Sequence, residues 1–316
     1  MTTLAATEHY SVMLNEAIEG LAIKADGTYI DTTYGRGGHS QAILSRLGGK
    51  GRLLAIDRDA EALADAKEKM RSEPRFEIVH SAFSGLSDLV SQRGLVGKVD
   101  GVLCDLGVSS PQLDNAERGF SFRFDGPLDM RMDQSQGLSA AQWLKHAEES
   151  EIARVLRDYG EERYARRIAR AIVKQRETHA IDTTSALREL IIQSSPQRER
   201  HKDPATRCFQ ALRIQVNDEL DELKKLLQQA VSVLAPAGRL AVISFHSLED
   251  RIVKRFMRDQ SKSIDDSVPK DIPIISSAKT GALKLIGKAQ TPSQLELEEN
   301  PRSRSAILRL AERCPC

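Results

Sequence analysis

Aromatic residues are scarce in this 316-residue chain: one Trp, five Tyr and eight Phe, or 4% of the sequence. Cysteine is scarcer still. Cys104, Cys208, Cys314 and Cys316 contain no Cys-x-x-Cys pair. That excludes a disulfide framework and points to a reducing, cytoplasmic setting, with Cys104 packing as a small hydrophobe and the terminal Cys-Pro-Cys as a frayed tail. No stretch approaches the roughly 18 apolar residues of a membrane span, so no membrane is expected as a partner. The N-terminus has no basic region followed by an apolar block, so no secretory signal is expected. Internal repeats and low-complexity runs are missing too. A formal net charge of +1, with 29% charged and 40% hydrophobic residues, describes an ordinary globular protein and singles out no partner.

What is present alternates. "TYIDTT", "GRLLAID", "RFEIVH" and "VDGVLCDLG" are four short apolar runs between residues 28 and 107, separated by helical patterns such as "AEALADAKEKM". Consecutive βα units of this kind build a parallel sheet. The strand pattern resumes with "GRLAVISF" (238–245), which feeds the helix "LEDRIVKRFMRD", and ends with "SAILRLAE". Between these halves lies a helical region. Ser139 and Gln142 form a capping-box pattern, and Asp203 with Pro204 marks a second helix start. That second helix carries Phe209, Leu212, Val216, Leu220, Leu223 and Leu227 on one face. The expected architecture is a doubly wound α/β domain (1–135 and 209–316) with an all-helical insertion at 136–208. The segment 260–300, with Pro269, Pro273 and Pro292, reads as loop-rich.

Gly35, Gly37 and Gly38 follow the first strand and precede a helix, where a nucleotide-like ligand meets backbone N–H groups. Asp57 ends the second strand twenty-two residues after Gly35, where an acid can accept both ribose hydroxyls. A tight turn beside an N-cap aspartate would give the same pattern. Two ligands compete for the loop. A pyrophosphate favours G-x-G-x-x-G, and here the last position is Ser40. Asp31, entering the loop, suits a ligand with an ammonium and a sulfonium better than one with phosphates. Methyl transfer therefore leads hydride transfer from NAD(P).

Asp105 ends the fourth strand, and Phe245, His246 and Ser247 end the strand at 238–245, so both face the carboxyl edge of the sheet. Phe83 follows the third strand and could stack on an adenine or simply pack. Gln112 and Asp114 lie just past Asp105, in a loop over the cleft. From Gly107 to about Ser135 no periodic element is evident, yet "ERGFSFRFDGPLDMRMD" spends three of the eight Phe: Phe120, Phe122 and Phe124. A long ordered loop is commonly functional. This one could stack and read an extruded base, or staple the insertion to the sheet. Across 163–213, twelve Lys and Arg stand against five acids, a net +7. Arg163, Arg166, Arg167, Arg170 and Lys174 recur at helical spacing, and a phosphate backbone is their natural partner.

Taken together, "DTTYGRGGHS", "AIDRD", "DLGVSSPQLDNAERGFSFRFDGPLDMRMD", "YGEERYARRIARAIV", "KDPATRCFQALRIQVNDEL", "ISFHSLEDRIVKRF" and "NPRSRSAILR" resemble the bacterial RsmH/MraW family, from about His9 to Glu312. Thr32, Tyr34 and the context of Asp203 depart slightly, and the terminal Cys-Pro-Cys has no counterpart. The resemblance implies a class I, Rossmann-like methyltransferase using S-adenosyl-L-methionine. Its substrate would be the N4 amine of a decoding-centre (P-site) cytidine of 16S ribosomal RNA, presented in the small ribosomal subunit. It implies cofactor contacts at Gly37, Gly38, His39, Asp57, Phe83, Asp105 and Gln112, and an insertion that recognises RNA. Phe120, Arg163 and Arg167 are the expected substrate contacts. Asp105 is the catalytic candidate, though it could serve the cofactor alone. No metal is implied, and a homodimer is left open. Two rivals stand: an NAD(P)-dependent oxidoreductase, and an RNA-binding protein with a vestigial pocket.

Overall fold

A computed structural model describes residues 11–196, 203–262 and 281–315. His9, Arg198, Arg200, Lys202, Pro269, Pro273 and Cys316 lie outside the described residues. In chain order the elements begin with α1 (Leu14–Leu21), β1 (Thr28–Asp31), α2 (Gly38–Arg46), β2 (Arg52–Asp57), α3 (Ala60–Lys69), β3 (Phe76–His80), α4 (Leu86–Gln92) and β4 (Val99–Asp105). Six helices follow: α5 (Ser110–Asp114), α6 (Ala140–His146), α7 (Glu149–Gly160), α8 (Ala165–Arg176), α9 (Thr184–Ser194) and α10 (Ala205–Val216). The chain then continues through α11 (Glu219–Val233), β5 (Leu234–Ser244), α12 (Ser247–Ser261), β6 (Leu283–Leu285), α13 (Gln294–Glu299) and β7 (Ile307–Arg313).

Two compact units result: Met1–Gly107 with Asp221–Cys316, and Val108–Leu220. The first is a seven-stranded sheet, counted among the described residues, in the order β3-β2-β1-β4-β5-β7-β6. Strands β1 to β5 pair in parallel, and β7 runs against both of its neighbours. The central strands are buried on both faces, which is why their sequences are near-continuous apolar runs. Alternate residues feed two cores. Tyr29, Leu53, Leu103 and Ile243 pack with α1, α2 and α3. Ile30, Leu54, Val102 and Val242 pack with α4, α11 and α12. The sheet is doubly wound, as expected. Cys104 is fully buried in the second of these cores, and burial pushes its thiol up to about 12. It packs as a hydrophobe.

The second unit is helical, with Pro127 and Thr183 forming an isolated bridge. Ser139 accepts the Gln142 N–H at 3.2 Å, and Gln142 returns the bond, so the capping box at α6 is made. The unit is wider than the 136–208 segment because Phe120, Leu128, Met130 and Met132 belong to the same core as α6 to α10. The long helix expected after Asp203 is two helices. Asn217, 2% exposed, turns its amide away from helix continuation. Its Nδ2 donates to the Met130 and Arg213 carbonyls (2.7 and 2.9 Å), and its Oδ1 accepts the Met132 N–H (2.8 Å). Asp218 then takes a left-handed φ of 50°. The 260–300 stretch, read as loop, holds the three-residue β6 and the short α13, which Ser293 caps.

Candidate active site

The carboxyl ends of β1, β2 and β4 each finish on an aspartate: Asp31, Asp57 and Asp105. Strand register brings the first and third close, because Asp31 pairs with Leu103 two residues before Asp105. Thr33 joins them. Its hydroxyl accepts the Asp105 N–H at 2.7 Å and lies 3.4 Å from Asp31 Oδ1. Gly35 joins the second, donating its N–H to Asp57 Oδ2 at 2.8 Å. Sequence spacing pointed to Gly35 and Asp57 as one site. Here they are hydrogen-bonded.

Between these acids runs the glycine loop. Gly37 has φ 82°, a left-handed conformation that any Cβ would strain, and a Cβ there would lie 2.6 Å from the Tyr34 hydroxyl. A Cβ on Gly38 would lie 2.0 Å from Ser11 Oγ. Gly37 is also the N-cap of α2 and offers no side-chain cap, so the N–H groups of the first turn face the loop without a side-chain acceptor at the cap. The side chain of His39, the second residue of α2, is buried. Its Nε2 lies 3.1 Å from the Val12 carbonyl, and its Nδ1 lies 3.6 Å from Asp105 Oδ2.

The three carboxyls differ electrically. Asp31, fully buried, accepts from Ser40 Oγ (2.7 Å) and the Thr33 N–H (3.1 Å). Burial raises its pKa and these donors pull it back. Asp57 accepts N–H bonds from Gly35 and Asp59, yet burial still pushes it up to about 6. Asp105 keeps 23% of its side chain exposed, but its Oδ1 is buried with no hydrogen-bond partner. Burial, then the neighbouring charges of Asp31, Glu249 and Glu296, push it well above the usual carboxylate range. A buried acceptor without a donor is costly unless a ligand supplies one. The lining fits a cationic cofactor: an acid at each of three strand ends, around a loop that a Cβ would fill.

The remaining expected residues fall as follows. Phe83 opens a one-turn 3-10 segment after β3 and packs partly against the core with Leu86 and Val90. Gln112, 6% exposed, belongs to the second unit, where its Oε1 accepts the Ser109 N–H at 2.8 Å in a capping box. The three phenylalanines divide. Phe120 is 6% exposed and lies in the core of the second unit. Phe122 sits edge-on to Phe209 at 4.9 Å, and the Arg188 guanidinium also lies over its ring. Phe124 is 55% exposed under Arg123. Several of the loop's charges hold its own path or tie it to α9: Arg118 donates to the Arg131 and Met132 carbonyls, Asp129 pairs with Arg131 at 2.8 Å, and Asp125 accepts the Ser185 N–H at 3.0 Å.

Arg163, just before α8, and Arg166, Arg167, Arg170 and Lys174 on it are all exposed. Arg163, Arg166 and Arg167 line a hollow of about 350 Å³ with Arg157 and Tyr164. Other cations of the stripe hold structure. Arg176 donates to the Leu144 and Ala147 carbonyls, and Arg188 and Arg213 pair with Asp203 and Glu219.

The model of the MraW methylase family matches residues 6–314, so the chain belongs to that family. Solved structures similar to it include an rRNA methylase from Streptococcus thermophilus (8% identity, TM-score 0.42, covering 96% of this chain and 94% of that one). NSun6 from Pyrococcus horikoshii has 13% identity and a TM-score of 0.44, covering 100% of this chain and 56% of that one. A SAM-dependent methyltransferase from Aquifex aeolicus has 11% identity and a TM-score of 0.41, covering 96% and 90%. Likeness at this level adds nothing to the assignment. Family membership and strand order make the first unit a class I methyltransferase sheet, with S-adenosyl-L-methionine as the cofactor. The nicotinamide alternative falls with that membership.

Proposed function

We propose that this member of the MraW methylase family methylates the exocyclic N4 amine of a decoding-centre cytidine in bacterial 16S ribosomal RNA, within the small subunit in the cytoplasm. The observation that carries the reading is Asp105, a half-buried carboxyl at the end of β4 whose buried Oδ1 has no hydrogen-bond partner. Cytosine's amine is a poor nucleophile because its lone pair is delocalised into the ring. A carboxyl oxygen accepting an amine hydrogen favours a pyramidal nitrogen with its lone pair available. The cofactor supplies an electrophilic methyl group, already activated as a sulfonium. Alignment of the two reactants then provides most of the acceleration.

In this reading Gly37, Gly38 and His39 meet the cofactor along the loop, Asp57 takes the ribose hydroxyls, and Phe83 and Gln112 supply further contacts. The helical unit holds the RNA. Arg163 and Arg167, on the exposed basic face at α8, take backbone phosphates. Phe120 supports its loop from the core, and the exposed Phe124 is the ring available to stack on a base. The test is mass spectrometry of 16S rRNA nucleosides from cells lacking the gene. Loss of N4-methylated cytidine, restored by the wild-type gene but not by a copy carrying Asp57→Ala, is the expected result. An unchanged nucleoside profile overturns the reading.

A further inference from the structure

We propose that His39 is the terminal acceptor of the proton released at the substrate amine, receiving it through Asp105. The inference rests on the reading that the acceptor is an exocyclic amine at the end of β4. It begins from the tautomer. A backbone carbonyl only accepts, so the 3.1 Å contact with Val12 puts the ring hydrogen on Nε2 and leaves a lone pair on Nδ1. That lone pair is on the atom 3.6 Å from Asp105 Oδ2. The distance exceeds a made hydrogen bond, as catalytic contacts often do before the ligands bind. Burial lowers the pKa of His39 and raises that of Asp105, so it favours the uncharged form of each. With the carboxyl hydrogen on Oδ2 facing Nδ1, the orphaned Oδ1 is the oxygen left to accept from the amine.

The charges around the pair make the direction sensible. Asp31 on β1, Glu249 on α12 and Glu296 on α13 all bear on Asp105, and Asp31 also bears on His39. Asp31 is the acid with donors on both oxygens, from Ser40 and Thr33, so it is the better placed to stay ionised. Two carboxyls with such unequal environments have unequal tasks. When the amine lone pair forms the new N–C bond, the S–C pair leaves on sulfur as a thioether. The surplus amine proton moves to Asp105 Oδ1, and the Oδ2 hydrogen moves to His39 Nδ1. Asp105 ends neutral. His39 ends as an imidazolium, its Nε2–H on the Val12 carbonyl and its charge toward Asp31. The positive charge lost at sulfur reappears on the ring, and solvent removes it after product leaves.

His39 acts through Asp105, so it is a positioning residue, and three measurements address it. Nitrogen-15 NMR of the imidazoles in the cofactor-free protein should show Nδ1 of His39 without a hydrogen. A proton inventory of single-turnover methylation by the wild type in mixed light and heavy water should bow, as two protons in flight require. His39→Gln keeps a group near Val12 but removes Nδ1. It should lower the single-turnover rate by about 100-fold, the scale of one acid–base partner. That rate is read at saturating S-adenosyl-L-methionine, so that a weaker cofactor complex does not enter it. A hydrogen on Nδ1, a straight inventory, or a variant whose rate at saturating cofactor matches wild type overturns the relay. Wild-type product methylated anywhere but on an exocyclic amine overturns the functional reading, and the relay with it. That result is read from the nucleoside mass spectrum, apart from the rates.

Discussion

Gly35 donates its backbone N–H to Asp57 at 2.8 Å, tying the loop after β1 to the acid that ends β2. The bond fixes a carboxylate that burial would otherwise neutralise, and it has a pH signature. In the folded protein Asp57 titrates at about 6, above its ordinary 3.8, so between those values the folded state holds a proton that the unfolded chain has released. The stability this contributes is fully present below 3.8 and is lost as pH rises through 6. Asp57→Asn, which cannot ionise, should therefore gain thermal stability relative to wild type on going from pH 4 to pH 7. Calorimetric melts at the two pH values check it. A difference independent of pH contradicts the assignment.

Cofactor binding should run the other way. With Asp57 in its proposed role, ribose hydroxyls donate to the ionised acid, so S-adenosylhomocysteine affinity should weaken below about pH 6, by up to about tenfold per unit for one proton. Isothermal titrations from pH 5 to pH 8 read the slope, and Asp57→Asn should flatten it.

The glycine loop predicts a separable defect. Gly37→Ala forces an L side chain into a left-handed conformation, at a cost of roughly 1–2 kcal/mol, and pushes a methyl group against the Tyr34 hydroxyl. Urea unfolding should register that cost, and titration should show cofactor affinity falling by a larger factor than the stability loss explains.

Phe120 and Phe124 should part company. Phe120→Ala opens a hole in the core of the helical unit and should cost about 3–5 kcal/mol of stability. Phe124→Ala removes a ring that is 55% exposed and should leave stability within about 0.5 kcal/mol while lowering methylation of the RNA substrate. Paired denaturation and activity measurements on the two variants decide it.

The basic face at α8 predicts a change in salt dependence. Arg163→Ala with Arg167→Ala should make the slope of log affinity against log salt shallower on single-stranded RNA, by about 0.7 for each phosphate that is no longer neutralised. Fluorescence titrations of a 16S rRNA fragment at several salt concentrations give that slope. Cofactor affinity should not move.

How much of this was legible in the chain depends on the range of the interaction. The parallel strands were, because burial on both faces leaves unbroken apolar runs, and β5 and β7 remained visible across the helical insertion. The capping box at Ser139 was legible because it is local. The break at Asn217 was not: a periodic apolar face continues through it, and what stops the helix is a tertiary bond to Met130 and Met132, more than eighty residues upstream. The roles of the three phenylalanines were equally hidden. Alternate positions would share one side of a regular strand, but this loop is irregular, and its path sends Phe120 into the core and Phe124 out to solvent. His39 stood in the motif as one more loop residue. Its approach to Asp105, sixty-six positions away, needed the sheet register to appear.

Isothermal titration with S-adenosylhomocysteine and with NADH, on the wild type and on Asp57→Ala, puts the decisive question to the acids at the strand tips. The expected outcome is one molecule of the thioether bound per wild-type chain, no heat from the nicotinamide, and at least a tenfold weaker thioether complex in the variant, on the order of 1.4 kcal/mol. An Asp57→Ala protein that binds the thioether as tightly as wild type, or a wild type that ignores it, would leave the three strand-tip acids without the cofactor that defines them as a site.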